Sequence, residues 1–174
     1  MLRPIAALLF IAAPAAAAAP ALSTAPWWEK VTVTMTDGGK TQACSYETSR
    51  PLQKPKPCSV MGAEALGGGD SVGGKGEYTK ITFERRFDPG STPIENAVQA
   101  GDTILGRQVM ALAIDGGGKV SGCRVVATSG DLKPEYGCEE ATAERFEASA
   151  DAKAGAPREG VMTILIYGHS EHVA

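Results

Sequence analysis

The residues of this chain with the clearest chemistry are its four cysteines, Cys44, Cys58, Cys123 and Cys138. They form two local pairs, each separated by about fifteen residues, with a long gap between the pairs. Thiols in such a pattern could ligate a metal, act as nucleophiles or close disulfides. Structural zinc sites use C-x-x-C or short Cys–His spacings, and the sequence has neither. A nucleophilic thiol needs a base beside it, and neither histidine, His169 or His172, is near a cysteine in the chain. Disulfides are the remaining use, provided the compartment is oxidising. Four cysteines allow three connectivities. The local spacing favours Cys44–Cys58 and Cys123–Cys138, and closing a loop of that size contributes on the order of 3 kcal/mol. It leaves open whether Cys44–Cys58 staples an N-terminal unit or links it to the rest.

Three other patterns have a chemical precedent. Gly69, Gly74 and Lys75 fit the G-x-x-x-x-G-K frame of a phosphate-cradling loop, but Gly76 stands where Ser or Thr should hold magnesium. Such a loop must also lead into a helix, whereas "YTKITFERRF" alternates like a strand. His169, Glu171 and His172 form H-x-E-H at the terminus, without a rigid helix or an evident third ligand. No G-x-S-x-G nucleophile elbow occurs. Glu139, Glu140 and Glu144 suit the solvated face of a helix, and Glu84-Arg85-Arg86 a charged strand. The chain is therefore expected to be non-enzymatic, with no cofactor and no metal. An exported enzyme of unrecognised type is the alternative, and it would show a shaped pocket with paired titratable groups.

The compartment is read from the first twenty residues, "MLRPIAALLFIAAPAAAAAP". Arg3 is a minimal charged region, Ile5 to Ala13 an apolar core, and Ala15 to Ala19 a run of small residues. This is the pattern of a secretory signal, cut between about Ala18 and Leu22. An exported, periplasmic protein with oxidised thiols is the expectation. The formal net charge of −3 gives no electrostatic footprint for nucleic acid.

The elements that must place the cysteines follow from periodicity and turns. "WWEKVTVTM" alternates, Asp37-Gly38-Gly39 turns the chain, and Gln42 to Glu47 returns as a second strand. The prolines of "RPLQKPKPC" exclude helix there. Tyr78 to Phe87 forms a strand, and Thr92 to Asp102 suits a short helix with Pro93 in its first turn. "GRQVMALAIDGGGKVSGCRVVATSG" reads as strand, glycine turn, strand. "LKPEYGCEEATAERFEASA" is rich in helix formers, with Cys138, Ala141, Arg145 and Phe146 at helical spacing, and "GVMTILIYG" is a further strand. Cys123 on a strand and Cys138 on the helix would clip that helix to the sheet. The tail 169–174 is expected to fray. The expected fold class is α+β: a small antiparallel sheet with one main helix, preceded by an N-terminal β-hairpin unit and stapled by disulfides. The expected organisation is a signal at 1–20, a β-rich unit with a Pro/Gly-rich loop at 27–87, a domain at 92–168, and the tail.

From Thr92 to Gly168 the chain resembles the C-terminal domain of TonB, the periplasmic part of an energy transducer for outer-membrane receptors. Thr92-Pro93 with Ala97 and the strand opened by Gly106 match loosely, and "DGGGKVSGCRVVATSG" matches the family's turn and second strand well. "ERFEASADAKAGAP" stands for its R-F-x-P-A segment, with Ala148 in place of the proline, and "VMTILIYG" for the last strand. The resemblance implies a periplasmic βαβ module that binds a peptide or an envelope protein, such as an outer-membrane receptor, by adding a strand to its sheet edge. The edge expected to do this runs through Val161, Thr163, Leu165 and Tyr167. The chain could also form a homodimer. A transducer proper is the other reading; it would need an uncleaved N-terminal anchor.

Overall fold

Along β1 (Trp27–Met35) every second residue from Trp27 to Val33 is buried, so one face of the strand packs and the other meets polar surroundings. The computed structural model describes residues 21–35, 41–50, 78–90, 92, 98–148 and 157–170. Five further strands are present among them: β2 (Thr41–Thr48), β3 (Lys80–Pro89), β4 (Asp102–Ile114), β5 (Val120–Gly130) and β6 (Arg158–His169). The helix among them, α1 (Cys138–Ala143), is six residues long. All six strands belong to one sheet in the order β2-β1-β3-β6-β4-β5, and each neighbouring pair is antiparallel.

The expected α+β class is thus corrected: the described chain is mostly antiparallel sheet with a single short helix. The helix expected to carry Phe146 ends at Ala143, and Glu144 is extended (φ −70°, ψ 157°). Tertiary bonds outbid helix propensity there. The Glu144 carboxylate accepts from Arg85 Nη1 at 2.6 Å, Arg145 bridges Lys119, and Phe146 bridges Leu22. Phe146 then enters the core from an extended segment, its ring 4.8 Å from that of Phe87. The N-terminal hairpin is likewise no separate unit, because β3 pairs with β6 over ten residue pairs, from Lys80↔His169 to Pro89↔Gly160.

One face of the sheet carries the main core. Trp27, Phe87, Met110, Leu112, Met162 and Ile164 lie there under Leu22, Ala141 and Phe146. Gly160 makes room for this packing, since a Cβ on it would lie 2.3 Å from the Phe87 ring. Leu22 is 3% exposed, and its backbone bonds to Arg145 and Glu147. The tip of the β4–β5 hairpin is set by Asp115, whose Oδ1 accepts from Gly117 N at 3.0 Å and Lys119 N at 2.8 Å. His169, expected in a fraying tail, closes β6 with its Nδ1 2.8 Å from Asp102 Oδ1. The signal segment, the glycine-rich stretch around Gly69 to Gly76, residues 93–97 of the expected short helix, and Glu171 with His172 lie outside the described residues. No described helix is long and apolar enough to cross a membrane.

Candidate partner-binding edge and buried polar clusters

The sheet places the expected edge residues at its centre. Val161, Thr163, Leu165 and Tyr167 sit on β6, which pairs with β3 on one side and β4 on the other. Val161, Thr163 and Leu165 are each 1% exposed. An incoming strand finds no unpaired backbone there, so these residues are corrected from partner-binding edge to sheet interior. β3 of the same chain fills the position that a peptide was expected to take.

The free edge on that side of the sheet is β5. Among the described residues it pairs only with β4, and every residue from Arg124 to Gly130 is exposed. Val125 and Val126 are 43% and 39% exposed, two of the three large hydrophobic residues exposed among the described residues. The register shifts between Val109 and Met110, which pair with Ala127 and Val125, so Val126 is an extra residue in a bulge. A row of outward N–H and C=O groups flanked by two valines is what strand addition requires. The sequence carried a signal for this: "RVVATSG" ends in small and polar residues that no core would select.

A disulfide anchors this edge from behind. Cys123 on β5 joins Cys138, the first residue of α1, with a Cα–Cα distance of 5.6 Å. The pairing expected from spacing is the one observed. Cys44 on β2 is also disulfide-bonded; Cys58, its expected partner, lies outside the described residues. α1 has no side-chain donor or acceptor at its N-cap, Gly137, but Glu140 reaches back to accept from the Gly137 amide at 2.8 Å. That bond holds the Glu140 carboxyl below its usual range. The clip therefore ties the open strand to a helix with a defined start.

Titratable side chains gather on both faces, away from the β5 edge. On the core face, Arg85 donates to Glu29 Oε1 from Nε at 2.6 Å and to Glu144 Oε1 from Nη1 at 2.6 Å. Its guanidinium lies 5.2 Å from the Trp27 ring and 4.9 Å from the Tyr136 ring. Burial opposes the Arg85 charge, but Glu29, Tyr136 and Glu144 outweigh it and hold its pKa above the ordinary value. Burial pushes the Tyr136 phenol up, so it stays a donor, 3.3 Å from Glu144 Oε1. Tyr46 is raised by burial and by Glu29, to which it donates at 3.0 Å.

On the opposite face, Glu84, 2% exposed, is met by Lys30 at 3.3 Å, by Arg86, and by the Tyr167 hydroxyl at 3.2 Å. Burial and then Glu84 raise the Tyr167 pKa. A cavity of about 190 Å³ opens beside them, with Asp102 and Gln99 at its wall. Paired titratable groups next to a cavity are what an enzyme would show. Here the carboxylate receives three donors, from β1, β3 and β6, which join those strands. No cluster of three His, Cys, Asp or Glu suited to a metal occurs among the described residues. Comparison with family models, curated proteins and solved structures finds no match.

Proposed function

We propose that the chain is a non-enzymatic, exported binding module that takes an extended segment of an envelope protein along β5. The observation that carries this reading is the exposed β5 edge from Arg124 to Gly130, with Val125 and Val126 turned to solvent. The resemblance of residues 92–168 to the TonB C-terminal domain supports the same mode of binding, moved from the last strand to the other side of the sheet. The Cys123–Cys138 disulfide and the signal-like N-terminus both fit a periplasmic setting. Leu22 supports cleavage on its N-terminal side, because a mature chain without it would lose a core residue.

The test is amide hydrogen exchange on the full mature chain, with and without a mixed library of extended hexapeptides. Exchange should slow at the outward amides of β5 and nowhere in β6. Val125→Lys places a charge on the edge, a change that natural edge strands use to block pairing, and should remove the effect with little loss of stability. Slowing confined to other strands, or none at any library concentration, refutes the proposal.

A further inference from the structure

Beside the β5 edge, on the face opposite the main core, the sheet carries a groove of about 590 Å³. It exists because the residues facing it are small. The cross-strand rows run Val161–Ala111–Arg124 and Glu159–Ala113–Gly122, from β6 through β4 to β5. Ala111, Ala113, Gly122 and Ala127 leave a hollow, walled by Val161 and open toward the edge. A Cβ on Gly122 would only touch Ala113 Cβ at 3.5 Å, so the backbone does not require glycine there. Arg124 lies on the same face, is exposed, and has no acidic partner among the described residues.

We infer that the groove reads the sequence of the added strand: a bulky apolar side chain opposite Gly122 and an acidic one opposite Arg124, two residues apart. The inference rests on strand addition at β5 and adds its specificity. In a paired strand, residues two apart point to the same face, and those directly opposite sit within side-chain reach. A large apolar side chain opposite Gly122 meets no side chain there and lies over the half-buried Ala113 and Ala111, with Glu159 at the far end of its row, which removes apolar surface from water. A carboxylate opposite Arg124 pairs with a guanidinium at the groove's outer rim. Added antiparallel, as every neighbouring pair in this sheet is, the partner is thus an extended peptide of the form acidic, any residue, apolar. A second copy of β5 fits less well, because a two-fold pairing would bring two arginines to the same face without any acid from β5.

The test is fluorescence anisotropy of the full mature chain with a labelled heptapeptide of Ser and Thr carrying Glu at position three and Phe at position five, the order that antiparallel addition to β5 requires. Two control peptides replace the Phe by Ser or the Glu by Lys. Each control should bind at least about tenfold more weakly, the scale of one buried side chain or one close charge pair. Arg124→Glu, at an exposed position, should invert the preference between Glu and Lys. Gly122→Leu should fill the hollow and abolish the preference for Phe while the Ser peptide still binds. Equal affinity for all three peptides overturns this specificity and leaves strand addition standing. Failure of every peptide to bind, with no slowing of β5 amides, overturns both. A dimer in sedimentation that dissociates on Val125→Lys assigns the edge to a second copy and overturns the peptide.

Discussion

Arg85→Met removes the cation from a site where two carboxylates and two aromatic rings were built around it. Glu29 is 2% exposed and Arg85 8%, so the variant leaves a buried carboxylate with weaker company. What remains is the Tyr46 hydroxyl at 3.0 Å and Arg50 Nη1 at 3.7 Å. Removing one partner of a buried pair destabilises by about 3–5 kcal/mol, because the other charge stays desolvated. Arg50, already 5.3 Å from the Trp27 ring, can move toward Glu29, which places the expectation near the lower end, about 3 kcal/mol. Met retains the apolar contact with Trp27 and Tyr136, so the loss reports charge rather than a cavity. Glu29→Gln combined with Arg85→Met removes both charges and should cost under about 2 kcal/mol, less than Arg85→Met alone. The assay is urea unfolding followed by tryptophan fluorescence, disulfides intact, at pH 7. With a slope of about 1–3 kcal/mol/M, the single variant should lower the midpoint by about 1–3 M. A single variant within about 0.5 kcal/mol of the parent, or a double variant as damaged as the sum of the singles, refutes the account.

Three further outcomes follow from the structure. Replacing Cys123 and Cys138 together by Ala opens a loop with a sequence separation of 15 and should lower stability by about 3 kcal/mol; exchange should rise most in β5 and α1, and an even rise across all strands would contradict the clip. Tyr136 and Tyr167 have pKa values raised above the ordinary 10.0. The folded state holds those protons more tightly, so their contribution is full below pH 10 and is lost as pH rises above it. Phenolate absorbance should therefore appear together with unfolding, and ionisation of these tyrosines near pH 10 in a folded chain would refute it. Gly118→Ala should destabilise by at least about 3 kcal/mol, since φ is +82° and a Cβ would lie 1.9 Å from the Phe146 carbonyl oxygen. Gly90→Ala, with φ +102° and open space, isolates the backbone term at about 1–2 kcal/mol, and equal losses at the two sites would refute the packing argument.

Much of this fold is present in local pattern. The alternation of Trp27 to Met35, the glycine turn after Asp115 and the apolar run Val161 to Tyr167 each identify a strand, because the period of two is a property of neighbours in the chain. The Cys123–Cys138 pairing was similarly legible, since a strand and the segment after it can meet over fifteen residues. What the pattern could not give was pairing order. Both faces of β6 are apolar enough for an edge covered by one neighbour or for a centre strand between two, and only the ten-pair ladder with β3 distinguishes them. The helical spacing runs past the end of α1 for a related reason. Glu139 to Phe146 has helical spacing and good helix formers, yet Glu144 and Phe146 have partners, Arg85 and Phe87, that come from β3, far away in sequence.

The candidate site follows the same division. Val125, Val126, Arg124 and Gly122 are unremarkable as letters, and the small residues Ala111 and Ala113 read as ordinary strand filler. Sequence determined which segments are strands, which cysteines meet across β5 and α1, and that the chain lacks the spaced residues of familiar catalytic motifs. Tertiary structure decided that β6 is central and that β5, among the described residues, pairs on one side alone, and where small side chains line up into a groove. Both depend on main-chain hydrogen bonds between segments many residues apart, and those bonds are made by a backbone that is nearly the same for every residue type.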